Sequence, residues 1–100
     1  MRLNEKEIAA IKEVTREVFG YQSTVSLFGS RTDNSKRGGD IDLFIKCNCQ
    51  ISKEEQYKLK IKFLVWLKKI IGDQKIDVLI DWGQLLENVY ETVQREGVKL

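Results

Sequence analysis

Two aspartates, Asp40 and Asp42, stand one residue apart within an otherwise apolar run, and this pattern narrows the folds open to the chain. Strands are depleted in Asp, so two of them within three residues require a cause. In a β-strand, residues i and i+2 point to the same face, so both carboxylates enter one small space, while Ile41, Leu43 and Ile45 fill the other face. Like charges that close repel each other unless a cation neutralises them. The pattern therefore predicts a strand with one buried apolar face and one acidic, cation-binding face.

A polar, basic loop separates this strand from the apolar segment before it. Residues 24–28 form a short β-rich run that ends at Gly29-Ser30, and residues 30–39 lack periodicity. A Gly-Ser step at a strand end offers backbone N–H groups and a hydroxyl to phosphates, and Arg31 can bind phosphate through its guanidinium fork. Carboxylate oxygens suit Mg²⁺, which binds them together with substrate phosphates. A metal on one strand and phosphate beside its neighbour together indicate nucleotide chemistry.

A third strand is predicted over residues 76–80, with its isoleucines and valine on one face and Asp77 on the other. If the second and third strands are neighbours in the sheet, Asp77 lies beside Asp40 and Asp42. As a third metal ligand it would also accept a proton from an attacking hydroxyl. Asp81 lies on the same face of this strand, and it would be the third metal ligand instead of Asp77 if the register of the strands were different.

Three segments have the spacing of amphipathic helices. The first begins at Asn4, an N-cap followed by Glu7, and ends at Gly20. The second begins with a capping-box pattern at Ser52 and ends at Gly72. We expect its buried side to consist of Tyr57, Ile61, Leu64, Leu67 and Ile71. The third helix carries Leu86, Val89, Tyr90 and Val93.

Length and composition bound the class of protein. One hundred residues make one domain, residues 1–100, and we expect an α/β (α+β) fold: a small mixed sheet of about three strands with helices packed on one face. A net charge of +2 is too small to argue for nucleic acid as a partner. No apolar run reaches the ~18 residues of a membrane span and no signal peptide opens the chain, so a cytoplasmic location is expected and a membrane partner is not.

Histidine is absent, and Cys47 and Cys49 are the only cysteines. Without histidine, Ser-His-Asp and Cys-His hydrolysis and His-dependent ribonuclease mechanisms are excluded. A four-ligand zinc site also lacks partners, so the cysteines are expected to be small residues at a strand end. Acid–base chemistry in this chain must come from Asp, Glu, Lys or Tyr.

Each feature also has a purely structural interpretation. Asp40 and Asp42 can protect an edge strand against pairing with another chain, although lysine is the more usual residue for that purpose. The Gly-Ser step can simply favour a turn. Two glutamates balance the lysines of the second helix and no aromatic residues alternate with them, which favours a solvated face. These lysines are Lys53, Lys58, Lys60, Lys62, Lys68 and Lys69.

The combined motif resembles the nucleotidyltransferase superfamily that includes DNA polymerase β. It consists of Gly-Ser, nine further residues, Asp-x-Asp within a strand and a third Asp on a later strand. The size of the chain and residues 28–31 and 39–43 look most like the minimal nucleotidyltransferases, or MNT proteins, which act as antitoxins beside HEPN-type ribonuclease toxins. Many relatives have Ser before the first motif Asp. Gly39 in that position removes a hydrogen bond but no metal ligand.

The resemblance implies a three-stranded core, two Mg²⁺ ions and ATP as the substrate. Asp40 and Asp42 would bind both metals, and Asp77 would complete one metal site and help to activate the acceptor. MNT antitoxins transfer AMP from ATP onto a tyrosine of the partner toxin, which silences it. The residues that would hold the β- and γ-phosphates are Gly29 and Ser30, assisted by Arg31.

Two other functions remain open from the sequence. One is an antitoxin with an idle transferase site, which neutralises its toxin by binding alone. The other is a nucleotidyltransferase for a small molecule such as an aminoglycoside. Enzymes of that kind generally need extra chain to hold the acceptor, and only the helix after Asp81 is available here. That shortage favours an acceptor delivered by another protein.

Overall fold

The computed structural model describes residues 3–28, 40–48, 50–83 and 97–100, apart from the side chains of residues 28 and 40. The predicted triphosphate-binding residues Gly29, Ser30 and Arg31 and the predicted last helix lie outside the described residues. In chain order the elements are α1 (Glu5–Phe19), β1 (Thr24–Phe28), β2 (Asp40–Lys46), α2 (Lys53–Ile71), β3 (Lys75–Asp81) and β4 (Val98–Lys99).

The four strands form one mixed sheet in the order β3-β2-β1-β4. β1 runs antiparallel to both β2 and β4, whereas β2 and β3 are parallel. Parallel neighbours need a crossover connection, and α2 supplies it. The predicted α/β class and mixed sheet are confirmed. The sheet gains a fourth strand, β4, whose two residues are too few to show an alternating pattern in the sequence.

Both predicted N-caps are present, but the reciprocal capping box that the sequence predicts at Ser52 occurs at Asn4 instead. The Asn4 side chain accepts a hydrogen bond from the Glu7 backbone N–H at 2.8 Å, and the Glu7 carboxylate accepts one from the Asn4 N–H at 3.2 Å. Gly20 ends α1 with a φ of 101°, which favours glycine. At the start of α2, the Ser52 hydroxyl accepts from the Glu55 N–H at 3.2 Å. These contacts satisfy backbone donors that no helical carbonyl can reach.

We expect Asn4→Ala to lower the free energy of unfolding by about 1 kcal/mol, because the helix loses the acceptor for one of its first N–H groups. Urea unfolding followed by circular dichroism measures the effect. Glu13→Ala is the control, since Glu13 is exposed in the middle of the same helix, and it should change stability by less than about 0.5 kcal/mol. Equal stability of the two variants would contradict the capping role.

The core lies between the helices and one face of the sheet. Ile41, Leu43 and Ile45 of β2 are fully buried, so the predicted apolar face of this strand is confirmed. Cys47, directly after β2, is also buried. The remaining members of the core include Ile11, Val14, Leu27, Phe63, Leu67 and Ile76.

The predicted buried side of α2 is partly wrong. Of the five predicted residues, Tyr57 is 67% exposed and Ile61 is 41% exposed. The other three belong to the core or pack against it, as predicted: Leu64, Leu67 and Ile71. Phe63, which the prediction omits, is fully buried. Apolar residues occur on more than one side of this helix, so the spacing alone allows two apolar stripes. Packing decides between them: the Phe63 ring lies 5.6 Å from that of Phe19, measured between ring centroids. The helix therefore turns the side of Phe63 toward α1 and the sheet.

The long helix α2 is not a membrane span. Its 19 residues include six lysines and two glutamates, spread along its length. Throughout the ranges that the structure describes, no helix combines the length and the apolar character needed to cross a bilayer.

Candidate functional site

The acidic positions of β2 and β3 lie in register. Asp42 is the direct partner of Asp77 in the parallel pair, and neighbouring strands are spaced about 4.8 Å apart. Residues that are direct partners point to the same face, so the two side chains project together from the face opposite Ile41 and Ile76. The prediction that these strands are neighbours and bring Asp77 beside Asp42 is confirmed.

The end of β1 lies in the same row of the sheet. Phe28, the last residue of β1, is the partner of Asp42 in the antiparallel pair. Positions 28, 42 and 77 therefore form one line across three strands. β1 therefore ends at the level of the paired aspartates, and Gly29 and Ser30 are the next residues in the sequence.

The two aspartates are open to solvent. Asp42 is half-buried and Asp77 is exposed. Both line an open cleft of ≈ 460 Å³, together with Lys60, Leu64 and Leu79 among others. Water, ions and a ligand can therefore reach Asp77, and Asp42 lies beside it at the border of the same cleft.

Asp81, the alternative to Asp77, has a different role. Its partner in β2 is Lys46, four residues beyond Asp42, which places it about 13 Å farther along the strand. Asp81 is only 5% exposed, and its carboxylate accepts a hydrogen bond from the Gly83 backbone N–H at 2.8 Å. It accepts a hydrogen bond in the turn that ends β3 and lies too far along the strand to share an ion with Asp42.

The remaining predicted site residues are placed only in part. The backbone of Asp40 begins β2 with Lys75 as its partner, but its side chain is outside the described residues. Among the side chains that the structure describes, no three His, Cys, Asp or Glu groups are arranged to hold a metal ion. A three-carboxylate site would therefore need Asp40 to join Asp42 and Asp77.

The chemistry of the described pair suits a hard divalent cation. Two adjacent carboxylates offer only oxygen ligands, which Mg²⁺ and Ca²⁺ prefer to the nitrogen and sulfur ligands of zinc sites. Mg²⁺ commonly takes one or two protein carboxylates and completes its shell with water and phosphate oxygens. Asp42 and Asp77 fit that requirement, because they lie side by side and remain open on their outer side.

Lys60 is a cleft residue that the sequence analysis assigned to a solvated helix face. It lies on α2, on the side of the helix that meets β3, and lines the cleft that contains both aspartates. The one sequence signal for this position is that Lys60 lies four residues before Leu64 and so on the same side of the helix. Leu64 is half-buried and lines the same cleft. Without the position of β3 beside α2, that spacing does not single out one lysine among six.

Comparison with known proteins adds no family assignment: no protein-family model and no curated protein matches the chain.

Proposed function

We propose that this protein is a Mg²⁺-dependent nucleotidyltransferase that transfers AMP from ATP to a hydroxyl group. The proposed acceptor is a tyrosine of a partner HEPN-type toxin. By modifying that toxin, the protein would act as its antitoxin. The observation that carries the proposal is the row of positions 28, 42 and 77 across three strands. It brings two aspartates to the level of Phe28, the last residue of β1, which Gly29 and Ser30 follow in the sequence. The resemblance of the complete motif to the MNT proteins supplies the acceptor and the biological role.

In this proposal the carboxylates of Asp40, Asp42 and Asp77 hold two Mg²⁺ ions, and the triphosphate lies against Gly29, Ser30 and Arg31. Bound Mg²⁺ would neutralise charge on the triphosphate and on the leaving pyrophosphate. Asp42 is half-buried, which suits a fixed metal ligand, whereas Asp77 is exposed at the edge strand, where an incoming hydroxyl can approach.

The reaction asks little covalent chemistry of the protein. The hydroxyl oxygen of the acceptor forms a bond to the α-phosphorus, and the bond from that phosphorus to the bridging oxygen of the β-phosphate breaks. Pyrophosphate leaves with the electron pair, and Asp77 accepts the hydroxyl proton. Because positioning and electrostatic stabilisation provide most of the acceleration in such transfers, a chain without histidine can catalyse one.

The direct test is to incubate the purified protein with Mg-ATP and the product of the neighbouring gene, and to measure the intact mass of both proteins. We expect the partner to gain the mass of one or more adenylyl groups, and EDTA to prevent the gain. Peptide mapping then identifies the modified residue. A toxin that is neutralised at stoichiometric dose but keeps its original mass would contradict the transferase proposal and favour an antitoxin that acts by binding alone.

A further inference from the structure

A continuous groove runs between the outer edge of β3 and α2. Two clefts, of ≈ 330 and ≈ 460 Å³, share Lys60, Val78 and Leu79 in their walls, so they join end to end. We call this the β3–α2 groove. One end contains the Asp42–Asp77 pair, and the other contains Tyr57 and Trp82, among others.

The strand that forms one wall is an edge strand. β3 stands at the end of the sheet order, and within the described ranges no strand pairs with its outer side. Alternate residues of such a strand direct their N–H and C=O groups away from the sheet, which is a template for another strand. β3 contains no proline, and the stretch from Val78 to Ile80 carries no charge that would discourage pairing.

We propose that an extended segment of a partner protein binds in the β3–α2 groove by adding a strand to β3, which brings a hydroxyl side chain of that segment to Asp77. Strand addition is an established mode of peptide recognition, in which main-chain hydrogen bonds give affinity and alternate side chains give specificity. Only the delivery of the hydroxyl rests on the proposed transferase function. The binding itself does not.

The groove specifies the side chains of its occupant. Along β3, Asp77 and Leu79 point to the face of the sheet opposite α2, and Val78 and Ile80 point toward α2. An added strand would therefore set one row of side chains against α2, where Lys53 and Lys60 line the groove. Its other row would lie beside Leu79, which is 44% exposed. Acidic residues suit the first row, and apolar residues with one tyrosine suit the second.

A second copy of this chain fits the groove less well than an acidic segment does. Pairing β3 with β3 about a two-fold axis would bring the two α2 helices side by side on the same face of the joined sheet. Each α2 carries six lysines and two glutamates, so the helices would repel each other. The charge of α2 therefore favours a partner of opposite charge.

A peptide with the sequence Glu-Val-Glu-Tyr-Glu-Val-Glu, blocked at both ends and fluorescently labelled, tests the binding step without nucleotide. We expect saturable binding, measured by fluorescence anisotropy, that Lys60→Glu weakens about tenfold, the equivalent of one charge-pair contact reversed. Lys62→Glu is the matched control: Lys62 is exposed on the same helix but does not line the groove. Its dissociation constant should stay within about twofold of the unmodified protein. No binding, or equal losses in both variants, would overturn the proposal.

Backbone methylation distinguishes strand addition from simple charge attraction. Two versions of the peptide are N-methylated on alternate residues, one on the odd positions and one on the even positions. We expect one version to lose binding and the other to retain it, because only every second N–H of an added strand meets β3. Hydrogen exchange of β3 amides should slow when the unmethylated peptide binds. If both methylated peptides bind equally well, strand addition is wrong. It is also wrong if the β3 amides are already protected from hydrogen exchange without peptide, because the protein pairs with itself.

The transfer step separates this inference from the proposed function. With Mg-ATP present, the tyrosine of the bound peptide is expected to gain an adenylyl group. If the natural partner is adenylylated and the bound peptide is not, the delivery of a hydroxyl to Asp77 through this groove is wrong while the transferase stands. If the peptide binds by strand addition and neither acceptor is modified, the groove stands and the transferase proposal fails.

Discussion

Asp42→Asn is expected to lower the rate of AMP transfer by about 10³-fold or more, because the variant removes a charged ligand from the centre of the proposed metal site. A metal ion stabilises transition-state charge by several kcal/mol, and each 1.4 kcal/mol corresponds to about a factor of ten in rate. Asparagine keeps the size and one oxygen of the side chain but not the negative charge. The rate is measured by transfer of labelled AMP to the partner protein under saturating ATP.

Asp73→Asn is the matched control for the charge change. Asp73 is exposed in the turn between α2 and β3 and lies outside the cleft that contains Asp42. This variant should keep its transfer rate within about twofold, since it alters only a distant, screened charge. A transfer rate in Asp42→Asn equal to that of Asp73→Asn would contradict the assignment of Asp42 as a metal ligand.

Thermal unfolding provides a second readout that does not depend on turnover. Mg²⁺ that binds only the folded protein stabilises it by mass action, so millimolar Mg²⁺ with a non-hydrolysable ATP analogue should raise the Tm of the unmodified chain. We expect a much smaller rise for Asp42→Asn. This comparison also reports whether the variant is folded, which excludes misfolding as the cause of a lost rate.

Local rules were sufficient for the buried side of β2 and for the N-caps of the two described helices. The alternation of aspartate and apolar residues at the start of β2 indicates which side of the strand is buried, because a shift by one residue would expose Ile41, Leu43 and Ile45 together. Phe44 interrupts the alternation and is also buried, although it lies on the side of the aspartates. The signals for the helix starts at Asn4 and Ser52 are equally local. In each case the side-chain oxygen accepts a hydrogen bond from a backbone N–H only three residues later. Such features depend on a few neighbouring residues and therefore appear in the sequence.

Features that depend on distant contacts were harder to predict. The choice between Asp77 and Asp81 needed the register of β2 against β3, which no residue within β3 encodes. The buried side of α2 depended on the position of Phe19 in α1, and the cleft position of Lys60 depended on β3. The sequence predicted the acidic pair from a pattern within strands, but the surroundings of that pair come from packing between elements.

Phe63→Ala is expected to lower the free energy of unfolding by about 3–5 kcal/mol, which is a large fraction of the about 5–15 kcal/mol that stabilises a typical domain. Phe63 is fully buried, packs against the ring of Phe19 and is the largest fully buried side chain among those described. Alanine would remove the ring that packs against Phe19 of α1 and would leave a cavity in a close-packed core. Urea unfolding measures the loss.

Two further variants make this measurement decisive. Phe63→Leu retains most of the apolar volume and should lose clearly less stability than Phe63→Ala, so it remains measurable if the alanine variant does not fold. Tyr57→Ala removes an aromatic ring from the exposed side of the same helix and should change stability by less than about 1 kcal/mol. If Tyr57→Ala and Phe63→Ala destabilise the protein equally, the side of α2 that faces the core is not the one that carries Phe63, and the β3–α2 groove would lose the wall on which peptide binding depends.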